Sequence, residues 1–83
     1  MGNTASGDGG GIQSVERAVD VLELLGSRGE CGVTEVATAL DVHKSTASRL
    51  LAVLLERGLV EQSIPRGPFR LGMGLVQIGR AHV

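Results

Sequence analysis

Residues 33–60 read VTEVATALDVHKSTASRLLAVLLERGLV. Thr34 is placed to cap a short helix over about 35–40, with its hydroxyl accepting from a first-turn amide and Glu35 favoured by the positive helix end. Asp41 and Val42 make a turn. A longer helix then runs from His43 or Lys44 to about Arg57, and Gly58 ends it. Short helix, tight turn and longer helix with small polar residues at its start are the sequence form of a helix-turn-helix, whose second helix commonly enters a DNA groove.

Projected at about 100° per residue, the longer helix divides into two sides. Ala47, Leu50, Leu51 and Leu54 form a core face. Ser45, Ser48, Arg49, Ala52 and Glu56 point the other way, with Lys44 and Thr46 on the flanks near the N-terminal end. A solvated helix face is ordinarily built of Glu, Lys and Gln; Ser45, Thr46 and Ser48 have poor helix propensity, so something other than helix stability accounts for them. Arg49 can fork onto guanine O6 and N7 or bind a phosphate, the hydroxyls can reach base edges or phosphates, and Ala52 leaves room for close approach. Lys44 suits a phosphate. His43, at the helix start, is either a solvent-facing residue, a local cap or a further DNA contact, and Thr34 at the start of the shorter helix completes the candidates on the helix-turn-helix.

Downstream, residues 59–62 read as a strand, 63–68 (Ser-Ile-Pro-Arg-Gly-Pro) as a turn by composition, and 69–71 as a returning strand. This hairpin is the wing of a winged helix. Arg66 at its tip is a candidate backbone or minor-groove contact, and so is Arg70, although strand alternation can turn Arg70 away. Phe69, the single aromatic residue, is expected to anchor the wing to the core; it provides no stacking platform for single strands. Upstream, Ser14 is placed to cap a first helix over about 15–25, stopped by Gly26. Val15, Ala18, Val19, Leu22 and Leu25 form its expected core stripe. Val21 and Leu24 are expected on the opposite side of the helix, apart from that stripe, and, with Arg17, are the candidate subunit contacts, because so short a chain owns little core of its own. Residues 31–33 are a candidate short strand. The fold class is therefore mainly α with a small β-hairpin, a winged helix-turn-helix. Residues 1–11, rich in Gly, Ser, Asn, Thr and Asp, read as a disordered tail. Residues 12–72 form the winged domain. Residues 73–83 look like the start of a linker helix, loosened by Gly72, Gly74 and Gly79.

Charge supports this division. The chain of 83 residues has a net charge of −1, but the signs are segregated. Residues 1–42 hold Arg17 and Arg28 against Asp8, Glu16, Asp20, Glu23, Glu30, Glu35 and Asp41, whereas residues 43–70 hold Lys44, Arg49, Arg57, Arg66 and Arg70 against Glu56 and Glu61. Local sign, not the total, governs phosphate contact. The lone Cys31 excludes an intramolecular disulfide and fits a reduced, cytoplasmic setting. No apolar run is long enough to cross a membrane. Cys31, His43 and His82 have no metal-ligand spacing, and no paired carboxylates, Ser/His/Asp set or phosphate-cradling glycine loop can be assembled, so neither metal, cofactor nor catalysis is expected. The rival to DNA binding is a winged helix used for protein–protein contact, favoured by the low net charge.

Five segments in order resemble the IclR-type transcriptional regulators: Ile12-Gln13-Ser14-Val15-Glu16-Arg17-Ala18 with Leu22; Val42-His43-Lys44-Ser45-Thr46; Arg49-Leu50-Leu51; Glu56-Arg57-Gly58-Leu59-Val60; and Phe69-Arg70-Leu71-Gly72 with Leu75 and Ile78-Gly79. The resemblance covers about residues 12–79. It implies a winged helix-turn-helix bound to double-stranded operator DNA as a homodimer at the nucleoid, with recognition contacts on Lys44, Ser45, Thr46 and Arg49. It also implies a larger C-terminal domain, absent from these residues, through which a small-molecule effector acts.

Overall fold

Ten side chains close over one another to make the core: Val21, Leu25, Cys31, Val36, Ala37, Ala47, Leu51, Leu54, Val60 and Phe69. The computed structural model describes the backbone of residues 3–72 and the side chains of residues 11–72. Three helices, α1 (Asn3–Arg28), α2 (Val33–Leu40) and α3 (Lys44–Glu56), precede two strands, β1 (Val60–Gln62) and β2 (Phe69–Leu71). The strands pair antiparallel, with Val60 opposite Leu71, Glu61 opposite Arg70 and Gln62 opposite Phe69. This is the winged helix-turn-helix that the sequence pattern indicates. The linker helix expected over 73–83 lies outside the described residues.

The α2–α3 corner is made by backbone bonds. Asp41 adopts the left-handed conformation (φ 57°), which Asp tolerates better than most residues. Its N–H donates to the Thr38 carbonyl at 3.2 Å, and that of Val42 to the Ala37 carbonyl at 3.0 Å. His43 then occupies the extended position before α3, without a side-chain cap. At the other end of α2 the cap differs from the expectation. The helix begins at Val33 after Gly32, so Thr34 is already its second residue and the expected 31–33 strand is lost. Glu35 reaches back, its Oε1 accepting the Gly32 N–H at 2.9 Å, the carboxylate half of a capping box.

What remains of that strand is Cys31 alone. Its N–H donates to the Phe69 carbonyl at 3.0 Å and its carbonyl accepts from the Phe69 N–H at 2.8 Å. The connection between α1 and α2 is thereby stitched to the wing. Gly72 closes the hairpin from the other side: its N–H donates to the Leu59 carbonyl at 2.8 Å, and a Cβ there would lie 2.3 Å from the Gly58 carbonyl oxygen. Gly72 thus belongs to the wing's closure, not to a loosened linker.

The first helix departs most from its sequence reading. It runs back to Asn3, across the segment expected to be a disordered tail, and forward through Gly26. It stops at Gly29, whose φ of 93° suits a residue without a Cβ; Gly26 instead faces the Leu71 side chain, whose Cδ1 would lie 3.5 Å from a Cβ placed there. The core stripe is also rotated. Val21 is fully buried, whereas Val15 is 64% and Val19 46% exposed. Ala18, Val21, Leu22 and Leu25 obey the same i, i+3, i+4, i+7 spacing as the stripe expected, one step round the helix. Val21 is therefore a core residue of its own chain and is corrected as a subunit contact.

This rotation makes a stability prediction. Val21→Ala, which hollows the core, should cost about 2 kcal/mol, while Val19→Ala should stay within about 0.5 kcal/mol of wild type. Urea unfolding of both variants is the check; a larger loss for Val19 would put α1 in the other phase.

Candidate nucleic-acid interface

Burial of Ala47, Leu51 and Leu54, with Leu50 half-buried, turns the opposite side of α3 outward. Ser45, Ser48, Arg49, Ala52 and Glu56 are all exposed, as their spacing indicates, and so are Lys44 and His43 at the helix start. Thr46 is half-buried and turns toward α1, where it lines a shallow groove with Ser14, Val15, Arg49 and Val53. Arg49 borders that groove at one side of the outer face. Lys44 and Ser48 border a second groove at the other side, across which stand Thr34 of α2 and Arg66 of the wing. One continuous surface thus joins the start of α2, the N-terminal half of α3 and the wing tip.

Two polar residues that are not among the candidate contacts also border the second groove, Glu35, expected only as a favourable charge at the helix start, and Gln62. Glu35 is turned toward the α2 N-terminus by its bond to Gly32, so its charge is set against the helix dipole. Gln62 was findable from strand alternation: opposite Phe69 in the register, it shares the face on which Val60 is buried.

Arg70 does not join this surface. It pairs with Glu61 on the other face of the hairpin. Its guanidinium lies 3.3 Å from Glu61 Oε1 and 3.8 Å from Glu30 Oε2, and it donates to the Ser63 hydroxyl. The alternation that sends Phe69 inward sends Arg70 out and away, so Arg70 is corrected from candidate DNA contact to intramolecular ion-pair partner.

The segment over residues 14–63 matches the IclR helix-turn-helix domain. The chain belongs to the IclR family. It is 39% identical over 69 residues to the HTH-type transcriptional regulator XynR of Escherichia coli, an alignment covering 82% of this chain and 27% of that protein. It is 37% identical over 73 residues to the glycerol operon regulatory protein of Streptomyces coelicolor, covering 87% of this chain and 29% of the relative. The crystal structure of an IclR transcriptional regulator from Alicyclobacillus acidocaldarius superposes with a TM-score of 0.76 at 31% identity, over 82% of this chain and 28% of that one. The chain therefore spans less than a third of the length of these relatives, and most of what it spans is the IclR helix-turn-helix domain. By name the first of these relatives is a transcriptional regulator and the second an operon regulatory protein.

The placement of Arg70 can be tested directly. Arg70→Gln should lower stability by less than about 1 kcal/mol, as for an exposed ion pair, and should leave duplex affinity and its salt dependence unchanged. A reduced salt slope by fluorescence anisotropy would return Arg70 to the interface.

Proposed function

We propose that this domain binds operator DNA sequence-specifically, with α3 in the major groove, within a bacterial transcriptional regulator working at the nucleoid in the cytoplasm. The carrying observation is the outer face of α3. Ser45, Ser48, Arg49 and Ala52 are exposed together, flanked by Lys44 and by Arg66 on the wing. Small hydroxyls let the helix approach the base edges, and one guanidinium among them supplies a fork for guanine. Thr34 and Lys44 are assigned to the phosphates beside the groove, with His43 at its rim, and Thr46 to the flank nearest α1. The acidic residue on this face, Glu56, is at the far end of the helix, so contact is concentrated in the first two turns. Among the described residues no helix is long and apolar enough to cross a membrane.

Two copies would set their recognition helices about 34 Å apart on a near-palindromic site. Support for a homodimer comes from α1, where Ile12, Val15 and Val19 form an exposed apolar strip beside the core stripe. With Val21 buried, this strip is the contact we assign to the partner copy, Arg17 and Leu24 lying at the far side of the stripe. A small-molecule effector would act through a domain outside these residues.

Selection from genomic fragments with the purified chain should enrich a short two-fold-symmetric site, and affinity for it should fall steeply with salt. On that site Arg49→Ala should cost about 1–3 kcal/mol and relax the preference at one base position; equal weakening on all sequences would assign Arg49 to the backbone. Ile12→Glu with Val19→Glu, both outside the groove that Arg49 borders, should abolish tight binding to the full site while sparing a half-site. Failure to enrich any site with a folded chain, even when artificially dimerised, would overturn the DNA reading in favour of a protein-contact module.

A further inference from the structure

The wing holds two arginines in opposite circumstances. Arg70 is tied down by Glu30, Glu61 and Ser63. Arg66 is exposed, and no hydrogen bond or ion pair holds its guanidinium among the described residues. Its backbone is the unusual part. Arg66 has φ 65°, follows Pro65, and lies inside a turn closed by the Gly67 N–H donating to the Ile64 carbonyl at 2.9 Å. Proline at the second position and a positive φ at the third define a type II turn, whose third position favours Gly or Asn. A long side chain there opposes stability, and a strained residue on an exposed loop is a reason to ask what its side chain does.

A second contact holds this turn. Gln62 Nε2, part-buried at the end of β1, donates to the Gly67 carbonyl at 2.8 Å, spanning the loop from its base to the residue after Arg66. Gln62, Arg66 and Gly67 border the same groove as Lys44 and Ser48. We propose that Gln62 is a positioning residue for DNA binding: its amide clamps the wing turn so that Arg66, kept where glycine would be more stable, presents its guanidinium to the duplex backbone on the side of the recognition helix. This rests on the operator-binding reading above. Gln62 acts through Arg66, not by touching DNA, so the two residues should be coupled in affinity and uncoupled in stability.

The experiment is a double-mutant cycle on the 83-residue chain, with a labelled mixed-sequence duplex titrated over a salt series and melting followed in parallel. Arg66→Gly should keep or raise the melting temperature, weaken binding by about threefold to tenfold, and lower the slope of log affinity against log salt by about 1. Gln62→Met, which keeps the packing and loses the donor, should weaken binding by about threefold when Arg66 is present and by nothing further in the Arg66→Gly background. Gln62→Asn, whose amide falls short of the Gly67 carbonyl, should repeat that pattern and stands in if the Met variant does not fold. Equal loss from Gln62→Met in both backgrounds, or no loss in either, overturns the positioning role. An unchanged slope for Arg66→Gly on a chain that still binds overturns the wing contact and this inference with it. Absence of salt-dependent binding by the wild-type chain would instead bring down the operator-binding reading itself.

Discussion

The rotation of α3 about its own axis governs the polar face that the helix-turn-helix presents, and three apolar side chains set it. Ala47 and Leu51 are fully buried and Leu54 nearly so, packed with Val36 and Ala37 of α2 and Val21 and Leu25 of α1. Because side chains on a helix are locked in angle to one another, burying these three directs Ser45, Ser48, Arg49 and Ala52 outward with no further interaction required. Close packing leaves little slack for that rotation, so the outer face is presented as a rigid unit on a helix and not on a loop.

The wing depends on the same core through a different contact. Cys31 and Phe69 exchange two backbone hydrogen bonds, and both side chains are buried. The hairpin is short, three residues per strand, and such a hairpin is not stable alone in water. Its stability comes from this stitch, from Val60 and Phe69 in the core, and from the Gly72–Leu59 closure. Alternation along β2 then distributes its residues: Phe69 goes inward, and Arg70 outward to Glu61 and Glu30 on the face away from α3. Pairing Arg70 there offsets two carboxylates near the wing while leaving Arg66 as the cation at its tip.

The charge pattern gains meaning from this geometry. The acidic excess of residues 1–42 includes Asp20 and Glu23, which border a groove between α1 and the end of α2 with Ser27 and Leu40. Lys44, Arg49 and Arg66 stand on or beside the outer face of α3. A net charge near zero thus conceals two sides of different sign, and at physiological ionic strength the near side governs attraction to phosphate, since the Debye length is about 8 Å.

Residue order alone was enough for the helix-turn-helix, the inner and outer sides of α3, the hairpin and the family likeness, because each rests on local spacing: a period of 3.6 in α3, alternation in the strands, turn residues at 63–68. The phase of α1 was not legible in that way. From Leu24 round to Ile12 its apolar residues occupy roughly 240° of the circumference, far wider than the stripe one packed layer needs, so two equally spaced stripes competed. Only the position of α2, α3 and β2 against α1 selected Val21 over Val15 and Val19, Ala18, Leu22 and Leu25 being common to both stripes. The same holds for Arg70, whose partner Glu30 is 40 residues away in the chain, and for Gln62, whose bond to Gly67 exists only once the hairpin register is made. Local periodicity determines which faces an element can bury; packing between distant elements determines which face it does bury.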